Sequence, residues 1–188
     1  MLVLKRLVTN LLFLTSLHVS FEAVSAESSA AILMPKSGTY SRPISTGSVE
    51  AQRFFDQGLR LAWGFYFPES IASYQEASRL DPCHPMPYWG IAHAAGPNPN
   101  SRYAQMPDDP KGAGFAAIEA ALERIDRATP MEAALINALF VFYDAKSIPD
   151  PRERDRAYLA EMRKLNKQYP DDPDVAALYA GSFMSIRR

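Results

Sequence analysis

Between Ser48 and Ala95 the apolar residues recur at three and four positions, and a proline closes each run of them. Such a chain is restricted to short helices folded back on one another. Ser48 is suited to cap the first helix, which begins at Glu50 or Ala51. Phe54, Phe55, Gly58, Leu59, Leu61, Ala62 and Phe65 then share one broad face. Gly64 and Pro68 are expected to end it, the glycine by relaxing the backbone and the proline by lacking an N–H. Pro68 also fits the first turn of a second helix, with Ile71, Tyr74, Ala77 and Leu80 as its stripe and Glu69, Gln75, Glu76 and Arg79 toward water. Asp81-Pro82 stops that helix. A third, from about Met86 to Ala95, carries Tyr88, Trp89, Ile91 and Ala92.

The same rhythm continues downstream. Residues 96–110 hold four prolines and read as a long loop. A fourth helix is expected from Lys111 to Ala128, with Phe115, Ile118, Ala121, Leu122 and Ile125 on one face. Thr129-Pro130-Met131-Glu132 is a strong helix start: a capping threonine, proline at the first position and an acid in the first turn. The fifth helix runs to about Ala145, the sixth from Arg152 to Gln168, and the seventh from Asp174 onward. No stretch alternates with period two for long enough to form a strand. The expected class is all-α, with antiparallel helical neighbours joined by proline turns.

The first 26 residues read as a signal peptide: Lys5 and Arg6, an apolar core over residues 7–19, and small residues at Val24-Ser25-Ala26 for cleavage after Ala26. That core is too short and too polar to span a bilayer comfortably, so no membrane span is expected after cleavage. No cysteine follows the cleavage point to carry a lipid. The single cysteine, Cys83, rules out an internal disulfide. These features place the protein outside the cytoplasm, periplasmic or secreted. Residues 27–47 are rich in Ser, Gly, Pro and Thr without a period, and read as a flexible leader. Helical structure then occupies 48–188. A formal net charge of -1 gives no footprint for nucleic acid.

Residues 51–84 resemble a tetratricopeptide repeat, a helical hairpin with a period of about 34 residues. Pro82 matches the closing proline, Gly58 the glycine of the first helix, and Ala77 and Tyr74 the small and aromatic positions of the second. Phe54 and Leu61 take large positions. Gln57 departs, standing where the pattern wants leucine, and Ser70 stands for alanine. One period on, Tyr88 and Ile91 fill large slots and Ala92 the small one. The stretch DPCHPMPYWGIAHAAGPN, preceded by FFDQGLRLAWGF, is also similar to a group of exported bacterial repeat proteins. The resemblance is clear over residues 51–95. It implies stacked antiparallel hairpins in a right-handed superhelix with a groove along the first helices. By position, that groove would be lined by Gln52, Phe55, Leu59, Trp63, Met86, Trp89 and His93. These slots are apolar or neutral, so they suit a hydrophobic peptide or a helix, not a carboxylate. Phe55, Trp63 and Trp89 equally fit plain core or stacking roles.

Residues of chemical interest are few. Cys83, His84 and His93 form the one Cys/His constellation, and with the 96–110 loop they define an alternative reading as an enzyme or metal-binding module. Cys83-His84 lacks the second cysteine of a haem attachment sequence. Asp108-Asp109 and Asp171-Asp172-Asp174 lack the glycine and closing glutamate of a calcium loop. Glu119 and Glu123 lie four apart, as on any solvated helix face. No phosphate-cradling loop, nucleophile elbow or zinc-protease helix is present. The sequence therefore favours a non-enzymatic scaffold without cofactor that binds a protein or peptide. Val175, Leu178, Tyr179 and Phe183 make an apolar face near the C-terminus. A solenoid would cover such a face with a further helix, so the array is expected to be incomplete there or to self-associate.

Overall fold

A computed structural model describes residues 31–96 and 110–186. The expected signal segment, residues 27–30 of the expected leader and most of the 96–110 stretch lie outside the described residues. Among these residues the protein is all-helical: α1 (Val49–Trp63), α2 (Phe67–Leu80), α3 (Pro85–Ala95), α4 (Pro110–Leu122), α5 (Pro130–Tyr143), α6 (Pro151–Gln168) and α7 (Pro173–Ile186). Each packs on the next in sequence from α1 to α7, and α3 also touches α1 and α5.

Local chemistry sets the helix starts. The Ser48 hydroxyl accepts the Ala51 N–H at 3.2 Å. Thr129 and Glu132 form a reciprocal capping box, satisfying two donors that a helix start leaves open. His84 caps α3, its Nδ1 accepting the Met86 N–H at 3.2 Å. Prolines occupy the first turn of α2, α3, α5 and α6.

Two boundaries differ from expectation. The fourth helix stops at Leu122, and a separate 3-10 turn, Ile125–Arg127, leads to the Thr129 cap. At the end of α1, Gly64 has an ordinary negative φ, and Phe65 takes the left-handed conformation at φ 65°. Tyr66 N–H bonds to Leu61 O and Phe65 N–H to Ala62 O, the pattern of a Schellman cap. Phe65 is consequently turned outward, half-exposed, and leaves the apolar face where spacing placed it. Glu76 also differs: it is buried, with Arg79 donating to it at 2.6 Å.

The packing centres on Tyr74, whose side chain is fully buried. A Cβ at Gly58 would lie 2.8 Å from its ring, and one at Gly90 would lie 2.5 Å away. The ring therefore fits between α1 and α3 only because both helices present bare backbone there. Ala77 is fully buried on α2, as expected for the small position. In the third helix the notch facing Tyr74 is Gly90, not the Ala92 that the repeat period marked. Tyr143 repeats the arrangement, wedged against Gly96 and Gly114 with its hydroxyl donating to Ala92 O at 2.6 Å. Near the C-terminus Val175 and Leu178 are buried against neighbours, while Phe183 and Met184 remain exposed.

Residues 31–47, expected to be a flexible leader, lie against the helices as an extended strap. Their serines, main-chain amides and one arginine take partners on the helices, so no periodicity is needed to order them. Only Arg42 and Ile44 of the strap are buried. The strap reverses direction at Lys36 and Gly38, both with positive φ.

Gly90→Ala is expected to cost about 1–3 kcal/mol through overpacking. In a Tyr74→Ala background the added methyl should cost much less, which a double-mutant cycle by denaturant unfolding will read. Phe65→Gly should raise stability by about 1 kcal/mol, since a side chain in the left-handed region is unfavourable; thermal unfolding measures it.

Candidate functional site

The strap is held by side chains gripping main chain. The Gln52 amide accepts the Ile44 N–H at 2.9 Å and donates to Arg42 O at 2.8 Å. Gln57 does the same one turn on, accepting the Met34 N–H at 2.7 Å and donating to Ile32 O at 2.9 Å. Each amide thus pairs with the N–H and C=O of residues two apart, as a neighbouring strand would. Asp56 accepts the Arg42 N–H at 3.0 Å and the Ser41 hydroxyl at 2.7 Å. Glu132, at the start of α5, accepts the Ser45 N–H at 2.8 Å and its hydroxyl at 2.7 Å. Arg60 donates to Tyr40 O at 2.6 Å.

Arg42 is the anchor. Its guanidinium donates to Asp172 at 2.9 Å and to Asp174 at 2.8 Å, with all three side chains largely withdrawn from solvent. Burial alone would push the Asp172 carboxyl up, but the Arg42 and Val175 hydrogen bonds outweigh it and hold it below its ordinary value. Burial likewise opposes the Arg42 charge, and the two aspartates more than compensate. The Tyr40 hydroxyl donates to Asp174 at 2.8 Å and is pushed up to about 12 by burial and by that carboxylate. Trp63 Nε1 donates to the other oxygen of Asp174 at 3.2 Å. Asp172 and Asp174 thereby bring the start of α7 to both the strap and α1.

Of the residues assigned to the groove by resemblance, Phe55, Leu59, Met86, Trp89 and His93 are buried in the core. Gln52 faces the strap, and Trp63 is half-buried against His93. Of the repeat positions, Phe54 is buried with Tyr74 and Ala77, and Leu61 and Ile91 are partly covered. Tyr88 lies under the Arg124 guanidinium at 4.4 Å and donates to Pro82 O at 3.2 Å. Asp56, Gln57, Arg42, Glu132, Asp172 and Asp174 were not singled out as site residues. The available signal was Asp56 and Gln57: two polar side chains set among the apolar positions of α1.

Cys83, His84 and His93 have separate surroundings. Cys83 is exposed. His84 Nε2 lies 2.9 Å from the Ser45 hydroxyl, which itself donates to Glu132, so the imidazole donates from Nε2 and accepts at Nδ1. His93 stacks parallel on Trp89 with centroids 5.3 Å apart, and burial pushes it down to about 4 against a weak upward pull from Asp174. Among the described residues, no three His, Cys, Asp or Glu side chains are arranged to hold a metal. No described helix is long and apolar enough to cross a membrane.

No protein-family model, curated protein or solved structure matches the chain.

A histidine whose folded value is depressed binds its proton more readily when unfolded, so its neutral form stabilises the fold above the unfolded value. Unfolding free energy should therefore fall as pH drops from about 6.5 toward about 4. His93→Phe, which keeps the ring against Trp89, should remove much of that slope. Denaturant unfolding across the window tests this, and an unchanged slope in the variant would refute it.

Proposed function

We propose that this protein is an exported, tetratricopeptide-like helical scaffold that binds extended peptide or protein segments and performs no chemistry of its own. One observation carries the reading: Gln52, Asp56, Gln57 and Glu132 already bond main-chain groups of two short stretches of the strap, 32–34 and 42–45, across α1 and α5. A surface that bonds N–H and C=O groups directly reads an extended backbone whatever its side chains, as in strand-addition recognition. Support for the repeat architecture comes from the order of packing, each helix on its successor and α3 on both α1 and α5, and from the close approach of Gly58 to Tyr74.

The ligand chemistry favoured here differs from the hydrophobic peptide or helix that the apolar slots implied. Those slots are core, and the side chains that face the bound segment are amides and carboxylates. Screening immobilised extended peptides against the full chain tests the proposal. Bound peptides should lose at least tenfold in affinity to Gln57→Ala or Gln52→Ala, with the helical circular-dichroism signal retained. Binders indifferent to both substitutions would sink it. Sequencing the exported protein should find Glu27 at its N-terminus.

A further inference from the structure

The strap also carries side-chain information. Arg42 enters a buried pair of carboxylates, Ile44 joins the hydrophobic core cluster, and Ser45 uses both its N–H and hydroxyl on Glu132. Between them Pro43 fixes one backbone dihedral and keeps the segment extended. We propose that this channel is a recognition site for segments of the form Arg-x-aliphatic-Ser, and that residues 42–45 occupy it in cis as a pseudo-ligand that a second segment of the same chemistry displaces. The inference rests on the scaffold reading above and specifies its ligand.

Two features make the cis segment exchangeable. It forms no helix or strand of its own. Only two of its side chains are buried, so release exposes little apolar surface, and an incoming arginine restores the ion pair that release gives up. The charge pattern fits one ligand class. Asp56, Glu132, Asp172 and Asp174 all face the strap, and Arg42 is its one cation in that carboxylate-lined stretch. A peptide lacking arginine would leave Asp172 and Asp174 withdrawn from water with no counter-charge, which is strongly unfavourable.

Tethering also sets the competition. Ile44 lies five residues from the start of α1, and a short tether presents its ligand at an effective concentration on the order of millimolar. Wild-type protein should therefore bind a trans segment weakly, and weakening the cis contact should reveal the site.

The experiment titrates the full chain with a fluorescent peptide of residues 38–47, GTYSRPISTG, and follows anisotropy. Arg42→Ala in the protein, which leaves every groove residue in place, should bind the peptide at least tenfold more tightly than wild type. The peptide with alanine for its arginine should not bind, and adding Asp172→Asn and Asp174→Asn to the protein should abolish binding. If Arg42→Ala loses its helical signal, Ile44→Ala serves as the released form with the same expectation. The inference fails if a folded, released variant binds no better than wild type, or if the alanine peptide binds equally. In the latter case main-chain binding survives and only the arginine specificity falls. Association seen solely as dimers of full chains would assign the surface to strap exchange and also overturn the proposal.

Discussion

A buried guanidinium needs its charge answered. Arg42 has Asp172 and Asp174 on one side and, through its main-chain N–H, Asp56 on the other. Removing Arg42 leaves Asp172 and Asp174 without their cation, and removing both aspartates leaves the guanidinium without a counter-charge. The three carboxylates come from α1, the α6–α7 turn and the start of α7, so the main chain and side chain of one residue, Arg42, tie α1 to α7. Trp63 adds a direct contact to the same carboxylate. The anchor in turn aligns the strap so that Gln52, Gln57 and Glu132 meet its main chain in register.

A second constraint acts inside the helical layer. Tyr74 is too large to sit between two ordinary helices, and the bare backbone of Gly58 and Gly90 makes the space. The phenol ring thereby couples α1, α2 and α3 into one packed unit, and Tyr143 does the same against α3 and α4. Steric fit of this kind tolerates no side chain at the glycine, whereas the polar contacts of the strap can be made and broken one at a time. The molecule thus combines a layer fixed by shape with a segment held by hydrogen bonds and charge.

Much of this layer was legible in the residues. Helical periodicity and proline positions located the seven α-helices of the described residues, and Ser48 and Thr129 announced their own capping. The small positions of the first hairpin were also readable. The second notch was not, because counting by repeat period points to Ala92, and the decisive distance is measured from a ring on a different helix. The strap was hidden for another reason. Its order comes from partners as many as 134 residues away, and no local pattern in a Ser- and Pro-rich stretch encodes them. Gln57 is instructive: as a departure from the repeat it read as weakness in the match, yet it is a buried residue whose amide holds the strap. Asp172 and Asp174 read only as an acidic cluster without the features of a calcium loop, because the arginine that pairs with them lies 130 positions away in the chain.

The strap joins residue 42 to a carboxylate 130 positions further along. The order of synthesis and the order of assembly therefore run opposite ways. The strap, made early, has no complete berth until the start of α7 exists. Closing so long a loop carries an entropic cost that grows with its length, and contacts between such distant residues form late. Until then a newly made molecule passes through an interval in which Arg42 lacks its two carboxylates and the strap has only its partners on the earlier helices.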